Sequence, residues 1–163
     1  QTCALPISEN GPGIAGFAAA ADAVAATLNE DLGRMSTLRQ TLEQGLLALH
    51  PAVVLLGQGA PRIANTVCVR FGERDAEQVL GKLERAGVLA SSGAACGAGS
   101  TQPSHVMLAM GLTPLQAKAE IRFSLGRDTT ADDIAQALAA VRTQVLPLLF
   151  EDHPITPVLA TPA

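Results

Sequence analysis

Leu38, Leu42, Leu46 and Leu49 recur at spacings of three and four, so Leu32–Leu49 is expected to form an amphipathic helix with one buried stripe. Upstream, Gly11-Pro-Gly13 interrupts whatever precedes it, and the alanine-rich run Ile14–Leu28 has few breakers, which predicts a separate first helix. Pro51 ends this helical region. Val53–Leu56 is short and β-branched enough for a strand, closed by Gly57-Gln-Gly59. Ile63–Phe71 predicts a second strand, with Val67, Val69 and Phe71 on one face and Thr66, Cys68 and Arg70 on the other. Asp75 can cap the next helix with Gln78 in the reciprocal position, while Val79, Leu80 and Leu83 supply its buried side and Gly87 stops it. Val88–Ala90 suits a short strand that delivers the chain into a loop. A short helix follows Pro103, carrying Val106, Met107 and Met110, and a further helical turn is expected at Thr113-Pro114. Glu120–Leu125 alternates as a strand does, with Ile121, Phe123 and Leu125 facing one way and Arg122 and Ser124 the other. Thr130-Ala-Asp-Asp133 is a capping-box pattern, and Ile134, Leu138, Val141, Val145 and Leu149 continue it at helical spacing.

This order of elements predicts a small α/β layer domain with a mostly antiparallel sheet of three or four strands and helices packed on one face. A chain of 163 residues supports one domain with a real core. Four Phe and no Trp or Tyr make that core aliphatic. The net charge of -4 comes with no basic run, which argues against nucleic acid or an anionic membrane as the main partner. No apolar run is expected to approach the roughly 20 residues of a membrane span. Three widely spaced cysteines give neither a disulfide framework nor a Cys-x-x-Cys pair, so a reducing cytoplasm is the default location. Residues 1–7 have no initiator methionine and no signal-peptide pattern, and are read as a non-native, adapter-derived tail, which removes Cys3 from consideration. The domain then occupies residues 8–150, and the proline-rich residues 151–163 are expected to be a disordered tail.

The chemistry is placed at Cys96. From Ser91 to Ser100 every side chain is small, and Gly93, Gly97 and Gly99 can take positive φ, so the segment is expected to be a mobile loop carrying one accessible thiol. Such a thiol can load at one place and unload at another. The bland alternative is a small buried hydrophobe. Cys68, at a strand position, is read as structural, and His105 as an ordinary residue at a helix start because no partner at metal or triad spacing accompanies it. Gly57-Gln-Gly59 lacks the Gly-Lys-Ser/Thr of a phosphate loop and is only a turn.

Four blocks in order carry a resemblance. Asp75-Ala-Glu-Gln-Val-Leu-Gly-Lys-Leu-Glu-Arg-Ala-Gly87, Val88-Leu-Ala-Ser-Ser-Gly-Ala-Ala-Cys96, Gln102-Pro-Ser-His-Val-Met-Leu-Ala-Met-Gly-Leu112 and Ile121-Arg-Phe-Ser-Leu-Gly-Arg-Asp-Thr-Thr130 resemble successive blocks of the cysteine desulfurases. The nearest branch serves iron-sulfur cluster assembly and nitrogen fixation, and the resemblance runs from about Glu9 to Leu149. Ala94 stands where that family often has Ser.

The resemblance implies the small C-terminal domain of a fold-type-I pyridoxal-phosphate transferase of the class-V aminotransferase type. It implies that pyridoxal 5'-phosphate activates L-cysteine, and that the Cys96 thiolate takes the substrate sulfur as a persulfide, leaving L-alanine. Arg122 aligns with the family arginine that binds the substrate carboxylate, a task for which a guanidinium offers two parallel charge-assisted hydrogen bonds. The alternative for Arg122 is a solvated residue on the open face of a strand. Arg127 and Ser8 are given no role. Implied partners are an iron-sulfur scaffold or another sulfur acceptor, with a transient iron-sulfur cluster contact through Cys96, and a homodimer in the full-length parent. The sequence holds only two lysines, Lys82 and Lys118, neither in a setting like the family's cofactor lysine, so this chain alone is expected to be inactive. A stand-alone persulfide carrier or thiol redox module, a structural or interaction domain with an inert thiol, and a selenocysteine lyase are the competing readings.

Overall fold

The computed structural model describes residues 9–92 and 103–150. Residues 1–8, 93–102 and 151–163, and with them Cys3, Ser8, Cys96 and the expected disordered tail, lie outside the described residues.

Helix α1 is one continuous helix of 39 residues, Gly11–Leu49, and not the two expected from the sequence. Asn10 caps it by accepting from the Gly13 amide at 3.1 Å, and Pro12 sits in the first turn, where a missing amide hydrogen costs nothing. The Gly-Pro-Gly segment therefore starts the helix. Between Leu28 and Leu32 stand Asn, Glu and Asp, none of which breaks a helix outright, and Thr27 and Arg34 both bond Asp31 across that point. By length and composition α1 is apolar enough to cross a membrane, with a mean hydropathy of 1.3 in its best window and none of that window buried. This corrects the expectation that no stretch approaches a membrane span. The apolarity comes largely from alanine, which the sequence reading treated as a helix former.

Strand β1 (Val53–Leu55) pairs with β2 (Thr66–Phe71), β2 with β4 (Glu120–Ser124), and β4 with the two-residue β3 (Ser91–Ser92), all antiparallel in the order β1-β2-β4-β3. Asn65 clamps the β2–β4 end: its carbonyl accepts from the Leu125 amide at 2.8 Å and its side chain donates to the Leu125 carbonyl at 3.0 Å. β3 lies just beyond Val88–Ala90, the predicted strand, because pairing with Ile121 and Arg122 is available only at Ser91 and Ser92.

The apolar half of the alternation points to one side. Val67, Val69, Phe71 and Ile121 are fully buried there, and helices α1, α2 (Ala76–Arg85) and α4 (Ala131–Ala140) contribute Leu42, Leu46, Val79, Leu83, Ile134 and Ala137 to the same core. Each such aliphatic side chain contributes about 1.5–3 kcal/mol by leaving water. α1 and α4 approach so closely at Gly45 that a Cβ there would lie 2.5 Å from Leu138 Cδ1. A charged strut ties α1 to the β1–β2 connection: Glu43, 8% exposed, accepts from Arg39 and from Arg62, both at 2.8 Å. Asp75 caps α2 by accepting from the Glu77 amide, and Gly87 turns the chain out of that helix at φ 79°. The predicted capping box of α4 is present, with Thr130 and Asp133 bonding reciprocally.

α4 runs through a π-helical turn, Val141–Val145, into α5 (Leu146–Phe150). Pro147 lacks the amide hydrogen that a regular α-helix would donate to the Thr143 carbonyl, which accounts for the widened turn just before it. The turn keeps Val141 and Val145 fully buried. On the far side of the described gap lie the short helix α3 (His105–Ala109), none of whose residues is buried, and a 3-10 turn at Gln116–Lys118.

Candidate functional site

The polar half of the same alternation builds the other face of the sheet. On β2 it consists of Thr66, Cys68 and Arg70, and on β4 of Glu120, Arg122 and Ser124, in register as Thr66 with Ser124, Cys68 with Arg122, and Arg70 with Glu120. Ser91 pairs with Arg122 from the other side, so the arginine stands between a thiol and a hydroxyl on neighbouring strands. Arg122 is half-buried, and among the described residues its guanidinium has no ion pair.

Glu120 is the residue that the sequence reading passed over. It is 2% exposed. One oxygen, Oε2, accepts from the Cys68 thiol at 3.8 Å, the Ser104 hydroxyl lies near enough to favour the charged carboxyl, and Oε1 is buried with no partner among the described residues. Burial pushes the carboxyl above its usual range, against the lowering effect of Cys68, Ser104 and Arg122. The same contact works in the opposite sense on the thiol: burial first, then the neighbouring carboxylate, pushes Cys68 up to about 11. Cys68 is therefore a neutral thiol near neutral pH and a poor nucleophile, in keeping with the structural role expected of it. The signal for Glu120 was the strand period itself, which sets it on the face of Arg122. Its burial comes from β2 and from the segment before α3, contacts that no periodicity reveals.

Both ends of the segment that carries Cys96 are fixed beside β4. Ser91 and Ser92 form a ladder with Arg122 and Ile121, and Ser104 lies near Glu120. Cys96 itself lies outside the described residues. His105 is exposed at the start of α3, as an ordinary helix-start residue would be, and no cluster of metal-ligating side chains occurs among the described residues. Lys82 sits on α2, in the helix layer on the other side of the sheet, and Lys118 is exposed at the 3-10 turn. Lys82, in the helix layer, does not fit the holding of an aldehyde cofactor at the Arg122 face.

One face of the sheet is thus closed by helices, and the other carries Arg122 among polar side chains. Comparison with known proteins identifies the family. Residues 8–137 match the family described as aminotransferase class-V, and the chain belongs to that family. It is 42% identical over 153 residues to a cysteine desulfurase of Rhodobacter capsulatus, covering 94% of this chain and 38% of that protein. It is 36% identical over 134 residues to the cysteine desulfurase NifS of Azotobacter vinelandii, covering 82% of this chain and 33% of that protein. Among solved structures, a NifS-like protein from Rickettsia africae superposes with a TM-score of 0.73 at 26% identity, over 88% of this chain and 36% of that one. The small α/β domain with helices on one face of an antiparallel sheet is thus the fold expected from the sequence, and the chain spans little more than a third of the relatives it matches.

Proposed function

We propose that this chain is the C-terminal third of a pyridoxal-phosphate-dependent cysteine desulfurase, with Cys96 as its sulfur-accepting nucleophile and Arg122 as the residue that receives the carboxylate of L-cysteine. The observation that supports this most is the guanidinium of Arg122 on the polar face, without an ion pair among the described residues and beside both ends of the segment carrying Cys96. In this reading the Cys96 thiolate attacks the sulfur of L-cysteine. A sulfur-sulfur bond forms as the carbon-sulfur bond breaks; the electron pair of the broken bond stays with carbon, which takes up a proton to give L-alanine. The product on the enzyme is a persulfide, which passes to an iron-sulfur scaffold or another sulfur acceptor. Arg122 fixes the substrate by its carboxylate so that the sulfur faces the attacking thiolate.

The cofactor is held by a part of the enzyme outside this chain, since Lys82 lies in the helix layer and neither Lys82 nor Lys118 stands in a sequence setting like that of the family's cofactor lysine. Dimerisation and a cytoplasmic location belong to the same proposal. Two measurements test it. Replacing Cys96 by Ala in the full-length enzyme is expected to abolish alanine formation, and full activity in that variant rejects the assignment. This chain alone, supplied with pyridoxal phosphate and L-cysteine, is expected to form neither alanine nor sulfide; clear turnover rejects its reading as a part.

A further inference from the structure

Glu120 and Arg122 are two positions apart on β4 and share a face, about 6.6 Å along the strand, close enough for opposite charges on long side chains to meet. They form no ion pair. The carboxyl of Glu120 is instead turned into Cys68 on β2 and Ser104 ahead of α3, under cover, with Oε1 left unpartnered among the described residues. Such an arrangement is wasteful for Glu120 alone. It does, however, leave the neighbouring guanidinium without an internal carboxylate.

We propose that Glu120 is a positioning residue that keeps Arg122 available to the substrate carboxylate, by committing its own carboxyl to Cys68 and Ser104. The inference rests on the reading of Arg122 given above. The groups that face Glu120 are Cys68 and Arg70 from β2, Ser104 from the segment before α3, and Arg122 on its own strand. Arg70 is engaged elsewhere, donating to the Gly72 carbonyl at 2.9 Å, and Cys68 titrates near about 11, well away from the carboxyl. Released from Cys68 and Ser104, the carboxylate of Glu120 would instead compete with the substrate for Arg122.

The test is made in the full-length enzyme, with KM for L-cysteine and the inhibition constant of propionate, a carboxylate without a thiol, measured at one pH near neutrality. Cys68→Ala, which takes away one donor holding the carboxyl, is expected to raise both constants by about two- to fivefold, the scale of a partly exposed ion pair, and the change should fall on KM rather than kcat. Adding Glu120→Gln to Cys68→Ala removes the competing charge and should bring both constants back to the parent values. Unchanged constants in Cys68→Ala, or a rise that persists with Glu120→Gln, overturn the inference. If Arg122→Lys raises KM in that case, the reading of Arg122 survives alone; if Arg122→Lys leaves KM unchanged, both fall.

Discussion

The two faces of the sheet are made by the same strands yet are in opposite states. Toward the helices, Val67, Val69, Phe71 and Ile121 are sealed by side chains of α1, α2, α4, the π-helical turn and α5. Toward the other side, Arg122 has no counter-ion and Glu120 has an oxygen without a donor among the described residues. An apolar face is completed by any close-packed hydrocarbon, whereas a polar face is complete only when each group meets its particular partner. Among the described residues the first is complete and the second is not.

The largest expected effect lies on the sealed face. Phe71→Ala removes a fully buried ring and should cost about 3–5 kcal/mol in denaturant unfolding. A loss near that of a surface substitution would show that this face is less complete than its burial implies. Next is Arg122 on the open face: Arg122→Lys keeps the charge but loses the two-pronged geometry, and should raise KM for L-cysteine by roughly 10- to 100-fold, the worth of one or two charge-assisted bonds. Little change there would reduce the open face to a solvated surface.

Cys68 offers a chemical readout of the same contrast. With its pKa pushed from 9.0 to about 11, its thiolate fraction near neutral pH, and so its rate of alkylation, should be roughly 100-fold below that of an ordinary thiol. Labelling at the ordinary rate would mean that the Cys68–Glu120 contact is not kept. The sign for Glu120 follows from its raised pKa. The folded state holds the proton more tightly than the unfolded chain, so stability is fullest below the ordinary carboxyl range and falls as pH rises toward the folded value. Glu120→Gln should remove that fall, read as a Tm less dependent on pH across the weakly acidic range. The smallest effect belongs to the frame of the sealed face: Thr130→Ala deletes the capping box of α4 and should cost about 1 kcal/mol, again by unfolding.

Much of this was legible in the residues themselves. Period-two alternation assigned Val67, Val69 and Phe71 to one face and Arg122 to the other, the Thr130–Asp133 spacing announced its cap, and four ordered blocks pointed to the family, because each of these depends on near neighbours along the chain. Other features were decided only in three dimensions. Where β3 would pair, and why Glu120 is buried beside Cys68 and Ser104, depend on groups far apart in sequence. A buried carboxyl looks like any other glutamate until distant strands close over it, since desolvation and hydrogen bonding belong to its surroundings and not to its spacing.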